Sequence, residues 1–241
     1  STVSRAISGK GRVSEGTRNR VLNYIKKMNY VPNAMAKGLS DTKSHLIGIV
    51  SADVRNPFYS ALYVACENAA RSRGYKVLLC NSLGEKDREI EQLHMLQEQR
   101  VEAIIHMGGR VDDVVTDKQF GKEAEQVVGS IPMVVTGKID GVKCRRVIID
   151  ANEASSLLTE HLIQLGHTKI GLIGGRMDVL STREKLDTYK EVLRKHDIPY
   201  KRDYIVIGGY HGTVLGGYDT ETGYNGVKKL LGLKEIPTAV I

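Results

Sequence analysis

Hydrophobic positions fall into two unlike regimes along this chain. In the first, Val3, Ala6 and Ile7 share one side of the stretch 2–8, and Val21, Leu22, Ile25 and Met28 share one side of a second stretch. That spacing is the 3.6-residue period of a helix. Gly9-Lys10-Gly11 separates the two helices. Ser14 is placed to cap the second, which is predicted to end near Asn29. From Leu46 onward short apolar runs alternate with amphipathic stretches. Residues 46–50, 75–80, 101–106 and 133–136 read as strands, with helices at 58–73, 85–99 and 117–128. A second set follows: an extended segment at 147–149, helices at 153–165, 182–196 and 220–231, and strands at 169–173, 204–207 and 238–241. Strand–helix alternation predicts parallel sheets covered by helices on both faces. The boundary between the sets falls near residue 149, giving core subdomains 46–149 and 150–241. Two such units side by side create a crevice at the carboxyl ends of their strands, where ligands bind.

Between the two regimes lies Tyr30-Val-Pro-Asn-Ala-Met-Ala-Lys-Gly-Leu-Ser40. A proline suits the first turn of a short helix, but about eight residues with Gly38 inside are too few to hold a helix alone in water. Residues 32–45 therefore read as a hinge and linker, ordered only when both neighbours are held.

Charge sharpens this division. Residues 1–45 carry nine Lys/Arg against Glu15 and Asp41, which is the whole net charge of +7; the rest of the 241 residues sums to zero. Charge this unevenly divided points to a polyanion partner for the front alone. The composition of the whole chain, 41% hydrophobic and 26% charged, is that of an ordinary soluble protein. No apolar run approaches the ~20 residues that span a bilayer, and no charged-then-apolar leader opens the chain. Cys66, Cys80 and Cys144 sit in or beside apolar runs, and read as buried reduced thiols of a cytoplasmic protein. Both ends read as cut, the first inside a helix and the last inside a strand.

Enzymatic signals are weak. Gly171-Leu-Ile-Gly174-Gly175 follows a strand but lacks the dinucleotide spacing and the phosphate-loop lysine. His161 and His167 do not have metal-ligand spacing. No catalytic, metal or cofactor residue is assigned.

The order of short motifs resembles the lactose/galactose/purine-type repressor family of bacterial transcription regulators. Those motifs are Thr2-Val-Ser-Arg5, Val13-Ser14, Thr17-Arg18, Tyr30-x-Pro32-Asn33-x-x-Ala36-x-x-Leu39, Ile47-Gly48, Asn56-Pro57-Phe58, Glu160-His161-Leu162, Leu165-Gly166-His167 and Pro237-Thr238-Ala239. The resemblance implies an α/β fold: a two-lobed, periplasmic-binding-protein-like core preceded by a small all-α helix-turn-helix headpiece. Residues 1–31 would be part of that headpiece, lacking about fifteen residues in front, and Ser1–Ser8 its recognition helix, whose exposed side chains enter the major groove.

The resemblance assigns Arg5 to reading a guanine edge, Ser1 to a base-reading position, Thr2 and Ser4 to base edges or phosphate, and Ser8 and Arg12 to the backbone. It places Leu39 as a wedge in the minor groove, with Asn33, Ala36 and Lys37 close to DNA. Phe58, Tyr59, Asp150, Arg183 and Tyr218 fall at positions lining the effector cleft, and aromatic faces there suit a ring-shaped ligand. Gly137-Lys138 stands where many relatives have Asp-Arg, and Asp150-Ala151 where many have Asp-Asn.

The expected protein is a homodimeric repressor, with tetramers left open. It would act on double-stranded operator DNA under a sugar-like effector, in the bacterial cytoplasm at the nucleoid and away from membranes. The alternative is a sugar-binding protein or α/β enzyme whose basic front is incidental.

Overall fold

A computed structural model describes residues 2–8, 13–28, 43–208 and 218–241, which fall in two compact units, Ser1–Ser44 and His45–Ile241. In the first unit, α1 (Thr2–Ser8) and α2 (Glu15–Lys27) occupy the predicted stretches. Ser14 Oγ accepts the Thr17 amide at 3.4 Å and lies 2.9 Å from Thr17 Oγ1, so the capping read from sequence is made. Lys26 and Lys27 close the last turn of α2, where cations suit the negative end of the helix dipole. Ala6 is fully buried, and Arg18 Nε donates to its carbonyl at 3.3 Å, which ties α2 to α1. The hinge expected at 32–39 lies outside the described residues.

The second unit begins with β1 (Leu46–Ser51), α3 (Pro57–Arg71), β2 (Lys76–Asn81), α4 (Lys86–Glu98) and β3 (Ala103–Met107). A 3-10 turn (Gly109–Asp112), α5 (Lys118–Val128), β4 (Met133–Val135) and β5 (Arg145–Arg146) follow. The strands form one parallel sheet in the order β2-β1-β3-β4-β5. Local chemistry starts its helices where the pattern expects them. Asn56 Oδ1 accepts the Phe58 amide at 3.0 Å with Pro57 in the first turn of α3, and Asp117 accepts the amides of Gln119 and Phe120 ahead of α5. Val50, Leu93, Leu96, Ile104, Phe120 and Val127 are wholly buried. A Cβ at Gly48 would lie 2.6 Å from Leu96 Cδ1, so only glycine lets α4 sit this close to β1.

The chain then builds α6 (Ala151–Gln164), β6 (Ile170–Gly174), α7 (Leu180–Lys195), a 3-10 turn (Arg202–Tyr204), β7 (Ile205–Ile207), α8 (Thr220–Leu231) and β8 (Ala239–Val240). Its parallel sheet has the order β7-β6-β8. Tyr189 is fully buried on α7 and donates to Ile170 O at 2.7 Å, which satisfies its hydroxyl inside an apolar cluster. Thr188 Oγ1 donates to Asn152 Oδ1 at 2.8 Å and joins α7 to α6.

Two expectations need correction. The extended segment read at 147–149 as the opening of the second set directly follows β5, which pairs with β4 in the first sheet; Val147 N still donates to Val135 O at 2.9 Å, and Ile148 is 75% exposed. Backbone pairing at a sheet edge needs no apolar side chains, so the apolar run did not mark the paired residues. Of the three thiols, all free, only Cys80 is buried; Cys66 and Cys144 are half-buried. Among the described residues no helix is long and apolar enough to cross a membrane.

Candidate functional site

The first lobe supplies one wall of a cavity from the ends of its central strands. Ala52 and Asp53 directly follow β1, and Gly109, Arg110, Asp112 and Asp113 follow β3. The second lobe supplies the other wall through Arg176 after β6, Val179 and Ser181 at the start of α7, and Tyr218 before α8. The cavity holds about 70 Å³, roughly the share of two liquid waters. Drug-sized ligands occupy pockets of roughly 300–1,000 Å³. The lobes are therefore nearly shut on each other. An antiparallel bridge between Asp113 and Val179 closes the seam, its hydrogen bond running from the Val114 amide to Asp178 O at 2.9 Å.

Glycines make the first wall. Gly108 and Gly109 both adopt positive φ (73° and 70°), and a Cβ would strike the Tyr59 hydroxyl at the first and the Glu89 carboxylate at the second. Their absence lets α3 and α4 bring those side chains under the turn. Glu89 is wholly buried; it accepts the Arg110 amide at 3.0 Å and the Ser82 hydroxyl at 3.3 Å, and lies 3.3 Å from Nε2 of the equally buried His106. The turn carrying the cavity residues is thus fixed from beneath by a buried carboxylate.

Electrostatics at the cavity are set by pairing and burial. Arg110 Nη1 lies 3.2 Å from Asp113 Oδ2, Arg176 pairs with Asp178, and Arg55 holds Asp53 with Nε 3.0 Å from Oδ1. Burial would raise Asp53, but bonds from the Arg55 side chain and backbone outweigh it and hold the carboxyl below the usual range. Asp112 and Asp113 go the other way: burial pushes each up to about 6. The Tyr59 hydroxyl donates to Asp112 Oδ2 at 3.3 Å, and burial together with that carboxylate raises its own ionisation well above the usual range. Across the cleft, Tyr218 Oη lies 2.8 Å from Thr182 Oγ1, and the Lys185 ammonium sits 4.5 Å above the Tyr218 ring.

Tyr59 and Tyr218, two of the five cleft residues expected from the sequence, line this cavity. Phe58 does not; it is 46% exposed and packs edge-on against Tyr59 with centroids 5.3 Å apart. Asp150 is occupied otherwise, capping α6 by accepting the Glu153 amide at 2.8 Å. Arg183 is exposed on α7, with Nη2 3.5 Å from Met177 O, and is not part of the lining. On the headpiece, Thr2 and Arg5 are exposed on α1, and Ser4 and Ser8 belong to the same helix. Ser1, Arg12, Asn33, Ala36, Lys37 and Leu39 lie outside the described residues. Sequence reasoning missed Asp53, Arg110, Asp112, Asp113 and Arg176. The available signal was Gly-Gly followed by charged residues directly after an apolar strand, at 108–113. Among the described residues no group of three or more His, Cys, Asp or Glu side chains is placed to hold a metal ion.

Comparison with known proteins matches both parts of the chain. Residues 44–240 fit the family described as periplasmic binding proteins and sugar binding domain of LacI family, and residues 1–33 fit bacterial regulatory proteins, lacI family. Catabolite control protein A of Priestia megaterium is 31% identical over 99% of this chain and 68% of its own length. The HTH-type transcriptional repressor PurR of Aliivibrio salmonicida is 28% identical, again over 99% of this chain and 68% of its own length. Among solved structures, a lac repressor dimer bound to operator and the anti-inducer ONPF superposes with a TM-score of 0.78 at 24% identity, covering 99% of this chain and 68% of that one.

Proposed function

The chain belongs to the LacI family of bacterial regulatory proteins, and from that premise we propose that it is an effector-controlled, DNA-binding transcriptional repressor. It does no covalent chemistry. The headpiece, residues 1–31, presents α1 to the major groove, with Arg5 reading a base edge and the other basic groups neutralising phosphate. Residues 32–45 form a hinge that orders on DNA, and the subdomains 46–149 and 150–241 clasp a small ligand between them. The protein acts as a homodimer on a two-fold operator, in the bacterial cytoplasm.

The observation that carries this reading is one chain joining a basic helical headpiece to a core with a cavity between its two lobes. A ligand touching both walls adds contacts that exist only when the lobes are together. It therefore shifts the opening equilibrium by its differential affinity for the two states, and DNA affinity shifts with it. The bridge at Asp113–Val179, with its Val114–Asp178 hydrogen bond, is a contact that such opening would break.

The test selects operator DNA from a random library with the intact chain, then measures affinity with and without candidate effectors, and after removal of residues 1–45. Loss of DNA binding with retained effector binding in the shortened chain is expected. DNA affinity that survives the deletion sinks the assignment, and indifference to every effector sinks the control mechanism.

A further inference from the structure

Taken as the effector site just proposed, the cleft carries a charge pattern that specifies more than a sugar-like ligand. Its guanidinium groups are each ion-paired with a carboxylate, with Arg110 Nε the one of their buried nitrogens that has no hydrogen-bond partner among the described residues. Arg110 holds Asp113, Arg176 holds Asp178, and Asp53 is held by Arg55 from just outside. An anionic ligand would have to take a guanidinium from a carboxylate of the protein, leaving that carboxylate uncompensated in a narrow, partly dehydrated space.

One carboxyl lining the cavity is outside this pairing. Asp112 forms no ion pair among the described residues; its one hydrogen bond is the Tyr59 hydroxyl at 3.3 Å. It sits beside Gly137, where a Cβ would overlap the Val111 carbonyl and lie 2.7 Å from Asp112 Oδ1, so the backbone of the turn after β3 is what requires glycine there. Burial raises Asp112 to about 6; Glu89 adds to that rise, while His106 and Lys185 oppose it through space. Its remaining acceptor sites receive no donor from the described residues. The Tyr218 ring lines the opposite wall, with Lys185 stacked on it at 4.5 Å and not itself part of the lining, so a donor-rich ligand meets an acceptor on one wall and an aromatic face on the other.

We propose that Asp112 is the side chain that selects the effector, admitting uncharged hydroxyl-rich molecules and rejecting their phosphorylated or carboxylated counterparts. Hydroxyl groups of the ligand donate to the Asp112 oxygens. A phosphate or carboxylate in that position faces the Asp112 and Asp113 carboxyls with every lining guanidinium already paired. Lys185, partly balancing Asp112 from the other lobe, makes an ammonium ligand unnecessary for charge.

The experiment is a thermal-shift and calorimetric screen of the intact chain with matched pairs. Neutral pentoses, hexoses and disaccharides are each set beside their phosphate ester or uronic acid. At least one neutral sugar is expected to raise the melting temperature while its anionic counterpart leaves it unchanged, and Asp112→Asn, which keeps the side chain's size, is expected to weaken that sugar at least tenfold. The matched-pair preference is read on the unaltered protein, so it stands whether or not the variant folds well. Tight binding of an anionic member, or unchanged sugar affinity in Asp112→Asn, overturns the proposal and leaves the effector-receptor reading intact. If no member of either class shifts the melting temperature, that reading itself fails and the proposal with it.

Discussion

Helices α2 and α4 are both 13 residues long, and each carries an apolar stripe, yet they are built into the protein differently. None of the residues of α2 is buried; Leu22 and, at the C-cap, Met28 remain 39% and 74% exposed. In α4, Glu89, Leu93 and Leu96 are all at 0% exposure, pressed on the parallel sheet and the turn after β3. An isolated helix of this length is marginal in water. The core helix is therefore held by tertiary burial, whereas the headpiece helix rests on its Ser14 cap, its link through Arg18 to Ala6, and whatever it binds. A segment whose order depends on its partner suits a reading head; a receptor must hold its shape in order to measure a ligand.

This contrast can be broken most sharply by removing one apolar side chain from each part. Phe120, wholly buried against His106 with ring centroids 5.7 Å apart, should cost about 3–5 kcal/mol when changed to Ala. Leu22→Ala should leave the main urea transition within about 0.5 kcal/mol of wild type. Comparable losses from both changes would mean that the two parts fold as one.

Next in size is Arg5→Ala, expected to remove roughly 1–3 kcal/mol of discrimination between the selected operator and a site altered at one base pair. Effector-induced stabilisation should be untouched. Competition titrations on paired duplexes check this, and a uniform loss on all sequences would reassign Arg5 to phosphate.

A pH effect should belong to the core alone. Asp112 and Asp113 have folded values raised to about 6, above the ordinary ~3.9 of an unfolded Asp. The folded state binds these protons more tightly, so their contribution favours folding at low pH and is lost as pH rises through about 6. Carboxyls such as Asp53 and Asp178 are held low and lose their contribution only in more acid solution. The core should therefore gain stability from pH 7.5 to 5.5 through Asp112, on the order of 1 kcal/mol after allowing for solvent screening. Asp112→Asn should flatten that part of the profile and raise stability at pH 7.5. An unchanged profile would refute the assignment.

The smallest effect is Ser14→Ala. Losing the side-chain cap costs about 1 kcal/mol of local helix stability, to be read as faster amide exchange in α2 with no change in the core.

Much of the fold was legible because its causes are local. Helix α8 begins and ends on the predicted residues, 220 and 231, with Asp219 accepting the Thr222 amide at 2.7 Å as its cap. Ser14 and the two sets of alternating strands were equally visible, since period and capping are properties of neighbours in the chain. The site was only half legible. Tyr59 and Phe58 are adjacent in sequence, as are Thr182 and Arg183, and one step along a helix turns a side chain by about 100°. Tyr59 and Thr182 face inward, with Thr182 bonded to Tyr218, while their neighbours face outward. A motif places a residue near a cleft without saying which face it takes.

By itself, then, the sequence determined the helices, the strands, their alternation into two lobes, the charged front and the family. Each ion pair joins residues only two or three apart in the chain; the tertiary structure alone decided that the pairs meet at one cleft and that Asp112 is the lining carboxyl left over. Arg110, Asp112 and Asp113 come from the turn after β3, Arg176 and Asp178 from the turn after β6, and Gly137, which packs on the Val111 carbonyl, from the loop after β4. Their charges act on one another only because two sheets bring their carboxyl ends to a single dehydrated seam. Electrostatic interaction depends on distance and burial in space, and neither is written in chain order.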